Sequence, residues 1–175
     1  VDQNTTFSVG ARNITFRVRS LNMEAGGPFY RWMVSTSLGV EHYAGKVDLD
    51  MQVDWGAPSY TSFLLNSRPS GKTPAEGAQV CNMHAVTPET ETSSHYFYRS
   101  VKNYGGEELV GLFMDGVKAI FDQDKPILEA QQRNIGDQDV FSMKSVSFAG
   151  DLLYRKARLI NQGMANLEKN ASPQP

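Results

Sequence analysis

Val47-Asp48-Leu49-Asp50-Met51-Gln52-Val53-Asp54 alternates apolar and polar side chains without a break. A period of two places one set on each face of an extended strand, so this segment predicts a sheet with one face buried and one face wet. The same alternation recurs at 13–19, where Ile14, Phe16 and Val18 interleave with Asn13, Thr15, Arg17 and Arg19. Further strand candidates are 30–37 (Tyr-Arg-Trp-Met-Val-Ser-Thr-Ser), 59–66, 78–86 and 94–101. Turn signals separate them: Gly26-Gly27-Pro28, Gly56-Ala57-Pro58, Pro69-Ser70-Gly71 and Thr87-Pro88. Short strands at near-regular spacing, with no helix pattern between them, predict an antiparallel meander.

The period changes after Gly105-Gly106. Leu109, Phe113, Val117, Ile120 and Leu128 follow helical spacing, and Glu107 and Glu108 suit a helix N-terminus. A break is expected at 134–136, and a second helix from Leu152 to about Lys169, with Asp151 placed to cap it. Six strands followed by a long helix and a terminal helix predict an α+β fold. The expected arrangement is a curved antiparallel sheet gripping the long C-terminal helix, of helix-grip (Bet v1-like) type. Such a sheet and helix would leave an apolar hollow for a small ligand. A single domain is expected over 1–169, with 170–175 as a disordered tail.

A chain of 175 residues and 19.4 kDa fits one domain. Its formal net charge of −2 carries no basic footprint for nucleic acid, so no nucleic-acid partner is expected. No apolar run approaches the roughly 18 residues that would span a bilayer, so no membrane association is expected. The lone Cys81 excludes a disulfide framework and fits a reducing, cytoplasmic setting. Ser70-Gly71-Lys72-Thr73 lacks the earlier glycine of a phosphate loop, since position 66 is Asn66.

Asp124 stands apart from this pattern. Steps of three and four through Val117, Ile120, Asp124 and Leu128 put a carboxylate on the apolar stripe, two residues before a helix-loosening Pro126. An inward carboxylate must be paired, hydrogen-bonded or metal-bound. It is therefore either a structural acid or one ligand of a metal held by two histidines and a carboxylate. His84 and His95 could meet across an antiparallel pair to supply the imidazoles. His84 reads better as a polar group lining a ligand pocket, able to bind a carboxylate or phenol. His42 lies in a turn-like stretch, and Cys81 reads as a small buried hydrophobe.

His84-Ala85-Val86-Thr87-Pro88-Glu89-Thr90-Glu91-Thr92, followed by Ser94-His95-Tyr96-Phe97-Tyr98, resembles a signature of the catalytic domain of Rieske non-haem iron oxygenases, in the vanillate O-demethylase and dicamba monooxygenase branch. The run from Phe121 to Gln132 is similar to that branch's iron-binding helix. The resemblance implies that Asp124 is a catalytic metal ligand and that His84 contacts the substrate. It implies a mononuclear Fe(II) and a [2Fe–2S] cluster in the full-length enzyme. A reductase or ferredoxin would donate electrons, O₂ and a small aromatic acid would be substrates, and the assembly would be a homo-trimer. The reaction would be hydroxylation or O-demethylation. This chain lacks both the cluster ligands and the iron-binding histidine pair, so it is expected to be the C-terminal part of a longer subunit and inactive alone. A non-catalytic helix-grip module binding a small apolar ligand is the alternative expectation.

Overall fold

A computed structural model describes residues 2–24, 27–139, 142, 143, 146, 148 and 151–171. Six strands form one sheet in the order of the chain: β1 (Asp2–Val9), β2 (Asn13–Met23), β3 (Val47–Gly56), β4 (Tyr60–Pro69), β5 (Ala78–Pro88) and β6 (Ser94–Lys102). Every neighbouring pair is antiparallel, so the meander predicted from turn spacing is the observed topology. Helix α1 (Pro28–Leu38) lies between β2 and β3, and helices α2 (Glu108–Ile135) and α3 (Leu152–Ala171) follow the sheet. The fold is α+β: an open antiparallel sheet, a long helix and a terminal helix. Two compact units are formed, Val1–Tyr104 with Leu152–Pro175, and Gly105–Asp151.

Two strand expectations are corrected. The strand placed at 30–37 is helical, because Pro28 occupies the first turn after Gly27 and Gly39 closes the end in the left-handed region at φ 67°. Its Met33 and Val34 are fully buried, so packing on the sheet overrides the β-branched and aromatic composition that reads as strand. The sixth strand is instead β1, an edge strand whose residues 3–9 are all exposed. With Asn4, Thr6 and Ser8 on one face and Gln3 and Thr5 on the other, apolar alternation is too weak to mark it.

The ladder register sorts side chains onto two faces. One face carries Ile14, Phe16, Leu49, Met51, Val53, Leu65, Ala78 and Val80. Helix α1 packs there, with Ser67 Oγ donating to the Tyr30 carbonyl at 3.2 Å. Trp32 of α1 meets the buried Tyr104 edge to face at 5.9 Å. Helix α3 lies against β2, and Asn161 Nδ2 donates to the Pro58 carbonyl at 2.9 Å. The other face carries Arg17, Arg19, Asp48, Asp50, Gln52, Asn66 and Arg68.

The long helix continues through Pro126 and ends at Gly136, within the break expected at 134–136. Its partly covered line is Leu109, Phe113, Val117 and Phe121, while Ile120, Asp124 and Leu128 are exposed. Asp124, expected on the apolar stripe, is an exposed residue of this helix. By helical phase Asp124 falls within the arc spanned by Leu109, Phe113, Val117 and Phe121, and no described residue of this helix is fully buried. Asp151, expected to cap α3, directly precedes it. Its carboxylate accepts from the upstream Phe148 N–H at 2.8 Å. Asn170 and Ala171 complete α3 rather than beginning a tail, and 172–175 lie outside the described residues.

Candidate functional site

His84 lies on β5, on the apolar face of the sheet, paired with Thr61 of β4 and Tyr98 of β6. The two-residue period puts Asn82 on that same face, opposite Phe63 and Ser100. These positions form a polar cluster on an otherwise apolar surface. His84 Nδ1 is hydrogen-bonded to the Tyr96 hydroxyl, and the Tyr98 ring meets the imidazole edge to face at 5.2 Å. Asn82 Oδ1 accepts from the Tyr98 hydroxyl at 2.9 Å and from Ser100 Oγ at 2.7 Å. Burial lowers the His84 pKa from 6.5, which favours the neutral ring. Burial also raises the Tyr98 pKa, so its phenol stays protonated and available as a donor.

The sequence reading does not single out Asn82, Tyr98 or Ser100 as site residues. The signal that could find them is polar side chains recurring every second residue on strands whose same-face neighbours are apolar.

The histidines do not converge. His95 pairs with Thr87, three residues along β5 from His84. An odd offset turns the side chain to the opposite face, so the two imidazoles cannot share a metal. His95 sits 3.6 Å from Glu89, and His42 is exposed on the loop before β3 beside Glu41. Cys81 is only partly buried, on the polar face opposite Leu64 and Val101.

Asp124 lies on α2, where Lys118 pairs with Asp122 and Lys125 with Glu129. Among the described residues Asp124 takes part in no ion pair. A carboxylate oxygen is a suitable donor for a non-haem iron. The described residues nevertheless contain no group of three or more His, Cys, Asp or Glu side chains that could hold a metal. The described residues therefore form no three-ligand site by themselves.

The polar face holds a hollow of about 470 Å³, lined by Asn4, Thr6, Arg19, Gln52, Asn66 and Gln79 among others. Three charged residues line it: Arg19 and Asp50 are engaged with each other, and Arg17 stands beside them. Asp50 bridges Arg19 at 2.6 Å and Arg68 at 2.7 Å, and Arg68 also donates to the Asn66 side chain and to the Lys72 carbonyl. Asp48, nearby, accepts from Asn22 N–H, Ser70 Oγ and Gly71 N–H. The turn at Ser70 and Gly71 thus directs its donors at a carboxylate of the same chain, which a phosphate loop would not do. Mutual saturation marks Asp48, Asp50 and Arg68 as structural.

Compared with known proteins, residues 1–167 match the family described as the vanillate O-demethylase oxygenase C-terminal domain. The chain belongs to that family. This oxygenase C-terminal domain is 28% identical over 116 residues to the toluene-4-sulfonate monooxygenase system iron-sulfur subunit of Comamonas testosteroni, covering 59% of this chain and 33% of that protein. It is 31% identical over 93 residues to the oxygenase component of dicamba O-demethylase of Stenotrophomonas maltophilia, covering 50% and 26%. The crystal structure of dicamba monooxygenase superposes with a TM-score of 0.69 at 21% identity, over 94% of this chain and 50% of that one. The chain therefore spans about a third or less of these curated relatives and half of the solved chain. The domain is of the Rieske oxygenase class, as the TPET and helix signatures imply. The family match covers nearly the whole chain and does not depend on Asp124 being buried. Among the described residues no helix is long and apolar enough to cross a membrane.

Proposed function

We propose that this domain forms the substrate-binding and part of the iron-binding region of a Rieske-type oxygenase acting on a small aromatic acid, by O-demethylation or hydroxylation. The observation that carries the reading is the polar cluster around His84, on an apolar sheet face, in a domain of the vanillate O-demethylase oxygenase family. The apolar face suits an aromatic ring, and the half-buried imidazole supplies a polar contact for its acid group. Tyr96, bonded to Nδ1, fixes the orientation of the ring. Asp124 is the carboxylate ligand of this segment, and two imidazoles from the rest of the subunit complete the set.

A ferrous ion held by Asp124 and those imidazoles would supply O₂ activation, and a [2Fe–2S] cluster fed by a reductase or ferredoxin would supply the electrons. For a methyl ether, the O-methyl carbon is hydroxylated to a hemiacetal that releases formaldehyde. One O₂, two electrons and two protons convert the ether to a phenol, formaldehyde and water. The residues of this domain bind and orient the ring and exclude water from its apolar part. The full-length subunit is proposed to act as a homo-trimer in the cytoplasm. The oxygenase family match favours this over a non-catalytic carrier.

The test is Asp124→Asn in the full-length subunit. Mononuclear iron content and formaldehyde release from a methoxybenzoate should fall together, while the visible spectrum of the cluster persists. Unchanged turnover with full iron content would overturn the role of Asp124.

A further inference from the structure

The Asn82 amide has its acceptor side occupied. Its Oδ1 receives both the Tyr98 hydroxyl at 2.9 Å and Ser100 Oγ at 2.7 Å. An amide oxygen has two lone pairs, so these two donors saturate it. The Nδ2 hydrogens are then the remaining capacity of the side chain, and they have no acceptor among the described residues. Asn82 is only partly buried, so this donor edge is not sealed in the core. It stands on the same face as His84, two residues and about 7 Å away along the strand. Phe63 lies directly across from Asn82 on β4, and the Tyr98 ring lies beside His84. The arrangement is a neutral N–H donor on a partly buried amide whose oxygen is held by two hydroxyls, with Phe63 opposite and the His84 imidazole two residues along the strand.

We propose that Asn82 is a specificity-determining residue whose Nδ2 donates to an anionic oxygen on the ring substituent of the ligand. This deepens, and rests on, the reading of His84 as a ligand contact. The chemistry recognised is a carboxylate or sulfonate on an aromatic ring, since an N–H donor to a charged acceptor is stronger than one to a neutral acceptor. A purely structural role would need only the Oδ1 side of the amide.

The two roles separate in the full-length subunit, titrated calorimetrically with 4-methoxybenzoate and with the neutral 4-methoxybenzamide. Asn82→Asp keeps an oxygen for Tyr98 and Ser100 but replaces the donor by a negative charge. It should weaken methoxybenzoate by at least about tenfold and leave methoxybenzamide within about threefold, the size expected for losing a hydrogen bond to a charged group. Asn82→Ala, which adds no charge, should weaken methoxybenzoate more than methoxybenzamide, and a thermal melt confirms folding of both variants.

Equal losses for the two probes, or no loss for methoxybenzoate in either folded variant, would overturn the proposal. His84→Gln, measured alongside, separates the two readings. If it weakens methoxybenzoate and the Asn82 variants do not, this inference fails and the reading of His84 stands. A selective loss in the Asn82 variants with His84→Gln unaffected upholds the amide contact and removes His84 from the site. Failure of the unmodified subunit to bind either probe overturns both.

Discussion

A single protonation event at His84 links the structure to a solution measurement. Its pKa in the ligand-free protein lies below 6.5 because burial disfavours the imidazolium. A bound carboxylate favours the charged ring and raises that pKa. Affinity for an aromatic acid should therefore be flat at alkaline pH, rise as pH falls through the pKa of the complex, and level off below that of the ligand-free protein. His84→Gln should abolish the rise, and titration of methoxybenzoate binding against pH checks it. Asp48 shows the opposite arithmetic. Burial pushes its carboxyl up, but hydrogen bonds from Asn22, Gly71 and Ser70, with Arg68 nearby, outweigh burial and hold it below 3.8. A depressed carboxyl pKa contributes stability that is fully present above the unfolded value and is lost as pH falls through the folded one. Asp48→Asn should cost about 1–3 kcal/mol at neutral pH, and the gap to the unmodified protein should close in acid. Urea unfolding followed by tryptophan fluorescence at both pH values reads this. Of these two residues, His84 is legible in the chain because it sits in a recognisable run. Asp48 is visible there only as one polar member of an alternating strand. Its partners, Asn22 in β2 and the 70–71 turn, come together through the β3–β4 register and the irregularity between Ser20 and Met23, which no local pattern encodes.

Among the elements, α1 and β1 show where local reading fails. Helix α1 carries Tyr30, Trp32 and Val34, which favour a strand in isolation. Gly27-Pro28 at its start and Gly39 at its end are equally present in the chain, and these backbone signals prevail once Met33 and Val34 find a sheet to pack on. Met33→Ala should destabilise the domain by about 2–5 kcal/mol, as expected for emptying a fully buried site, measurable as a lowered urea midpoint with an unchanged slope. Strand β1 is the converse case. An edge strand buries little, so selection for apolar alternation is weak and β1 gains its definition from pairing with β2. The β5–β6 pair is legible in both composition and turn. Its register, however, decides that His84 faces Tyr98 and that His95 faces the other way.

For the whole molecule, the decisive quantity is the ligand count. The described residues offer a possible metal the carboxylate of Asp124 and no group of three donors around it. The isolated 175-residue chain, incubated anaerobically with ferrous ion and desalted, should therefore keep far less than one iron per chain, whereas the full-length subunit should keep it. Stoichiometric iron on the isolated chain would place the remaining ligands within it and overturn the proposed division. Periodicity and turn residues were enough to establish an α+β chain with an antiparallel meander and two C-terminal helices, because those signals act over a few neighbouring residues. The TPET run and the helix around Asp124 were enough to indicate the oxygenase class. Which polar side chains share a face with His84, why the Asn82 oxygen meets Tyr98 and Ser100, and why Asp48 and Asp50 find their partners depend on strand register. Register couples residues far apart in the chain through backbone hydrogen bonds that carry no side-chain identity.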